Sequence, residues 1–83
     1  MGLTMESLVE HSATLKSVFH KTWDTLSYHQ RRVISEDLQR IITDERRERI
    51  DAAKVLCSRI GGEENLLNYA ETLLAGERYA QKW

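Results

Sequence analysis

Thr43-Asp44-Glu45-Arg46-Arg47-Glu48-Arg49 is a run of seven polar residues set in a chain of amphipathic segments, and its reading decides the fold. If it continues a helix, residues 28–60 form one rod roughly 50 Å long at 1.5 Å per residue. A domain of this size cannot cover such a rod, so it would need a second chain. If the run starts a new helix, Thr43 is its cap, and Asp44 and Glu45 place negative charge at the positive end of the helix dipole. The spacing favours two helices with a bend near Thr43.

Working outward, the chain has no proline, and its four glycines are Gly2, Gly61, Gly62 and Gly76. Residues 3–60 therefore lack the strongest helix breakers. β-Branched residues never alternate, so no strand is expected. The first helix is expected over 4–26, capped by Thr4, with Ser7 and Glu10 as a second capping option. Met5, Leu8, Val9, Leu15, Val18, Phe19, Trp23 and Leu26 fall within one half of its wheel. Ser27, followed by Gln30 at capping-box spacing, opens a helix over 28–42 with a stripe of Val33, Ile34, Leu38, Ile41 and Ile42.

A third helix over 44–60 carries Ile50, Ala53, Leu56, Cys57 and Ile60, and Gly61-Gly62 ends it by supplying a left-handed residue. Glu63 and Glu64 open a fourth over 63–75, with Leu66, Leu67, Ala70, Leu73 and Leu74 inward. Gly76 either closes this helix or is tolerated as it runs on toward Trp83. The predicted fold is all-α, a single domain of three to four helices, with merger of the second and third as the alternative.

Eighty-three residues leave room for one domain and a core that is only marginally stabilising. Cys57 is the sole cysteine, so no disulfide forms within the chain, and a reducing compartment is expected. With no metal-ligand cluster and no cofactor motif, a well-packed bundle, self-association or a partner is the remaining source of stability, and a dimer is expected. Hydrophobic content of 41% and charged content of 30% describe a soluble globular chain. No apolar run is long enough to span a bilayer. Glu6, Glu10 and His11 interrupt any signal-peptide core, so the cytoplasm is the expected location.

The net charge of −1 argues against a general nucleic-acid binder. Charge is uneven, however: residues 31–60 carry eight basic side chains against six acidic ones, and residues 61–83 carry two against four.

Five residues are candidates for partner binding. Arg46 and Arg49 lie on the same side of the third helix as Ile50 and Ala53, so the stripe continues as arginine, a residue enriched at interface hot spots; Arg47 points elsewhere. The plainer reading is a solvated helix start with mixed charge. Tyr79 and Trp83, at i and i+4 in the tail, either fold back or anchor a partner.

Residues 52–70 weakly resemble a helix-turn-helix in Cys57, Gly61, Leu67 and Ala70. Gly62 stands where an apolar anchor belongs, and Glu63-Glu64-Asn65 is acidic where phosphates would sit. His20 and Asp24, one turn apart, could share a hydrogen bond or a metal, but two ligands do not make a zinc site. His11 with Leu15-Lys16 departs from phosphotransfer spacing by one residue. No nucleophile–base–orienter set, phosphate loop or paired-carboxylate site can be assembled, so no enzymatic activity is expected.

The expected function is a small intracellular regulator, adaptor or inhibitor that binds another protein or a second copy of itself. A host-targeting inhibitor from a phage or other mobile element fits the size. A compact DNA-binding regulator is the first alternative and a structural homo-oligomer the second.

Overall fold

The computed structural model describes residues 4–45 and 48–81. Four α-helices make up the bundle: α1 (Met5–Thr25), α2 (Tyr28–Glu45), α3 (Arg49–Ile60) and α4 (Leu66–Gln81), with a short 3-10 turn at Glu63–Asn65. The described residues contain no strand. Two separate helices occupy the 28–60 region, so the merged rod is not formed.

The helix boundaries follow from local chemistry. Thr4 is extended (φ −76°, ψ 160°), and its hydroxyl accepts the Ser7 N–H at 3.1 Å. Ser27 and Gln30 form the expected reciprocal box: the Gln30 N–H donates to Ser27 Oγ at 3.2 Å, and the Ser27 N–H donates to Gln30 Oε1 at 2.7 Å. Gly61 ends α3 at φ 92°, where the Gly61 and Gly62 N–H groups both reach the Cys57 carbonyl. Only glycine takes that conformation without strain.

Two boundaries differ from expectation. Thr43 does not cap α3; it is helical, and α2 continues to Glu45. The longer helix bonds further backbone carbonyls internally, which competes with a threonine cap worth about 1 kcal/mol. Glu48 takes the N-cap position of α3 instead, extended at φ −68°, ψ 155° and without a side-chain cap bond. Of the two readings of Gly76, tolerance within the helix holds: α4 begins at Leu66 and runs on to Gln81. A glycine inside a helix costs roughly 1 kcal/mol. Here Glu77, the next residue, pairs with Arg32 at 2.7 Å and ties the following turn to α2.

Leu15, Phe19, Trp23, Leu26, Ile34, Leu38, Ile41, Ala52, Ala53, Leu56, Ile60, Leu66 and Ala70 form one core. α2 is the central element and packs against all three other helices. Its buried residues Gln30, Val33, Ile34, Ser35, Asp37, Leu38 and Ile41 cover more than half its circumference.

The inward faces are narrower than the stripes suggest. Met5 and Val9 are each 66% exposed, Ile50 is 61% and Leu67 is 46%. All four were expected to face the core. On α3 the buried set is Ala52, Ala53, Leu56 and Ile60, whose mean direction lies about 100° from Ile50 at 100° per residue. The same rotation leaves Cys57 half-buried rather than buried.

α1 bends sharply at one residue. His20 has φ 51°, ψ −129°, the only positive φ outside glycine among the described residues. Lys16 and Asp24 are eight positions apart, about 12 Å along a straight helix, yet they form an ion pair at 3.4 Å. The Tyr28 hydroxyl reaches Met5 Sδ at 3.9 Å. The chain after His20 therefore folds back along its own first segment, carrying Trp23 and Leu26 into the core.

Candidate functional site

Breaking a helix exposes N–H groups at the start of the second piece. At the α1 bend these are met from across the fold. Glu63 Oε1 accepts the Thr22 N–H at 3.2 Å and the Thr22 hydroxyl at 3.0 Å, from 41 positions along the chain. Glu63 thus caps the broken end of α1. Arg31 closes the other end of the short piece: its Nε donates to the Trp23 carbonyl at 3.2 Å and a terminal nitrogen to the Asp24 carbonyl at 3.1 Å. Its guanidinium also lies 6.0 Å from the Trp23 ring centre. Asp24 pairs with Lys16, and the described residues contain no group of three or more His, Cys, Asp or Glu placed to hold a metal.

A second polar region runs along the seam of α2 and α4. The Tyr69 hydroxyl donates to Asp37 Oδ2 at 2.6 Å, and Arg40 pairs with Asp37 Oδ1 at 3.4 Å. Burial, then the hydrogen bond to Asp37, pushes the Tyr69 phenol up to about 12. A phenol so held stays protonated and acts as a donor, not a base. Arg32 bridges Glu77 and Glu36, and the bond to Glu77 is the largest cause raising its pKa. Gln30 adds a bond from its side-chain amide to Glu71. These contacts fix the register of the two helices, which run antiparallel, Asp37 meeting Tyr69 and Arg32 meeting Glu77.

His11 is buried at 5% exposure, and its Nδ1 has no hydrogen-bond partner; Ser35 Oγ is likewise unpartnered. Burial lowers the His11 pKa. The residue occupies a core position of α1 between Leu8 and Leu15.

The five candidate partner-binding residues separate as follows. Arg49 opens α3 and pairs with Glu10 of α1, both side chains remaining substantially exposed. Such a pair is worth at most about 1 kcal/mol. Arg46, Arg47 and Trp83 lie outside the described residues. Tyr79 is on the last turns of α4, and its side chain is outside the described set. In the helix-turn-helix-like stretch, Leu66 and Ala70 are buried, Leu67 points outward, and Glu63 is engaged by Thr22.

Glu10, which pairs with Arg49, follows Val9, one of the apolar residues expected to face inward but found exposed. Met5 and Val9 are one turn apart on α1, and Met5 touches Tyr28, itself 52% exposed. These three side chains form a continuous outward patch at the start of α1 and α2. A wheel stripe spanning half the circumference was the available signal, since a helix in a small bundle buries a narrower arc.

No family model matches this chain, and neither does any curated protein or solved structure. Among the described residues, no helix is long and apolar enough to cross a membrane.

Proposed function

We propose that this chain acts by binding another protein, as a regulator, adaptor or inhibitor. The observation that carries this reading is the Met5–Val9–Tyr28 patch. Single exposed apolar side chains are ordinary, but a contiguous group of them bordered by charge is the common form of a docking surface. Methionine adapts to irregular partners, and tyrosine is enriched among the residues that carry binding energy. The Glu10–Arg49 pair supplies a polar rim, and Arg46 and Arg47 of the same window are proposed to extend it, with Tyr79 and Trp83 as a second anchor.

Pull-down from a native lysate tests the reading, with eluates assayed for protein and for nucleic acid. Capture of a discrete protein is expected from the wild-type chain. It should be lost with M5S/V9S, and weakened with R46A/R47A/R49A, while helicity is retained. Capture indifferent to both variants, or nucleic acid as the species retained, overturns the proposal.

A further inference from the structure

We infer that the bend at His20 is a hinge through which two copies of this chain exchange the first segment of α1, so that the partner that fits this fold's own core is a second copy. Four observations converge on the hinge, and none depends on the docking patch above.

Nothing local explains the break. Residues 3–60 contain neither proline nor glycine, and the segment on either side of His20 is helical. The buried residues Leu15, Phe19, Trp23 and Leu26 follow one another at helical spacing of three or four across the bend. A straight α1 would keep all four on one face.

The departure is confined to one residue, and that residue suits it poorly. The pair φ 51°, ψ −129° is close to the first central position of a type II′ turn, which glycine fills at no steric cost and an L side chain fills under strain. The bend is held from outside, moreover, by the Glu63 carboxylate on the Thr22 N–H and hydroxyl and by Arg31 on the Trp23 and Asp24 carbonyls. The folded-back conformation is thus imposed by tertiary contacts on a sequence that locally favours a continuous helix.

Straightening α1 relieves His20 but separates Leu15 and Phe19 from Trp23 and Leu26. One copy alone would then expose half of its core, which no small domain sustains. A second copy restores every contact: the first segment of each chain, with Leu8, Leu15 and Phe19, packs on the body of the other. The same Glu10–Arg49 and α1–α3 contacts form between copies instead of within one. Exchange of an identical element is a low-cost route to a dimer when the hinge is strained.

Spin labels at positions 5 and 25, in M5C/T25C/C57A, read the hinge directly. In a straight α1 the labelled backbone sites are about 30 Å apart. In the bent form they are far closer, because Tyr28 touches Met5. The chain is refolded at high concentration and fractionated by size. Labelled chain is diluted into an excess of unlabelled chain before refolding, so that only the two labels of one chain report; the monomer should then show the short distance and the dimer the long one. His20→Gly should lower the dimer fraction by about tenfold, since glycine removes the strain that opening relieves. Glu63→Ala should raise it. A spin-diluted dimer that keeps the short distance, a dimer fraction indifferent to His20→Gly, or monomer alone after concentrated refolding overturns the inference. Should either hinge variant fail to fold by circular dichroism, the distance in the labelled chain with the native hinge still decides.

Discussion

Removing the Glu63 carboxylate should destabilise a helix to which Glu63 does not belong. Glu63 precedes α4, yet its Oε1 accepts two bonds from Thr22 in α1, at 3.2 Å from the N–H and 3.0 Å from the hydroxyl. The first is an N-cap interaction in all but sequence proximity, worth about 1 kcal/mol. The second is a half-buried hydrogen bond worth about another 1 kcal/mol. Glu63→Ala should therefore cost about 2 kcal/mol, or a fall in Tm of about 8–16 °C for a domain this small. Glu63→Gln retains an acceptor oxygen and should lose less than half of that. Thr22→Val removes only the hydroxyl and should cost about 1 kcal/mol. Urea unfolding followed by circular dichroism supplies all four stabilities, and the double variant E63A/T22V supplies the coupling. Additive losses from the two single variants would refute the hydroxyl bond, and Glu63→Ala within about 0.5 kcal/mol of the wild type would refute the capping account. The bend would then rest on Arg31 and on packing of Trp23 and Leu26.

Three further outcomes follow from individual side chains. His11 is buried with Nδ1 unpartnered and its pKa lowered, so the unfolded chain binds its proton more readily. Its contribution to stability is full above its ordinary value of 6.5 and is lost as the pH falls below it. His11→Leu should abolish that part of the acid sensitivity without destabilising the fold near pH 7; unfolding curves of both chains between pH 7 and 5 give the difference, and parallel curves would contradict it. Tyr69 is raised to about 12, so its stabilising contribution is complete below the usual tyrosine range near pH 10 and fades as the pH rises through the folded value. Ultraviolet titration should show one of the three tyrosines ionising late, a feature that Tyr69→Phe removes. Gly76 lies in α4 with open space where a Cβ would stand, so Gly76→Ala should stabilise by roughly 0.5–1 kcal/mol; a loss in thermal unfolding would contradict an unobstructed helix interior at that position.

Much of the architecture was legible because it is written in local chemistry. Thr4, the Ser27–Gln30 box and Gly61 act within three or four residues of where they stand, so spacing alone locates them. The break between α2 and α3 was also readable, but not its position. Thr43 offers a cap, yet a few more backbone bonds in α2 outweigh it, and that competition of about 1 kcal/mol is finer than residue preference resolves. Outward apolar residues were misread for a related reason. A wheel reports which side chains share a half, whereas the arc a neighbour covers depends on where helices cross. Met5, Val9, Ile50 and Leu67 fall outside that arc, and the proposed docking patch was consequently hidden among core positions.

The bend at His20 marks a different kind of limit. Every local signal in residues 5–25 agrees on a continuous helix, and the apolar spacing keeps its phase through the break. What opposes them is the depth of a small core. An unbroken α1 about 30 Å long would carry Trp23 and Leu26 away from Ile34, Leu38 and Leu56, the side chains with which they form one buried cluster. Burying a large aromatic or aliphatic side chain contributes roughly 1.5–3 kcal/mol, so Trp23 and Leu26 together outweigh the roughly 1–3 kcal/mol of strain at one non-glycine residue. Glu63 and Arg31 then satisfy the backbone groups that the break exposes. The margin is a few kcal/mol at most, and it depends on groups far from His20 in the chain. Such a balance gives a single fold in the monomer, and the same balance lets a second copy, offering an identical core without the strained residue, compete for the segment.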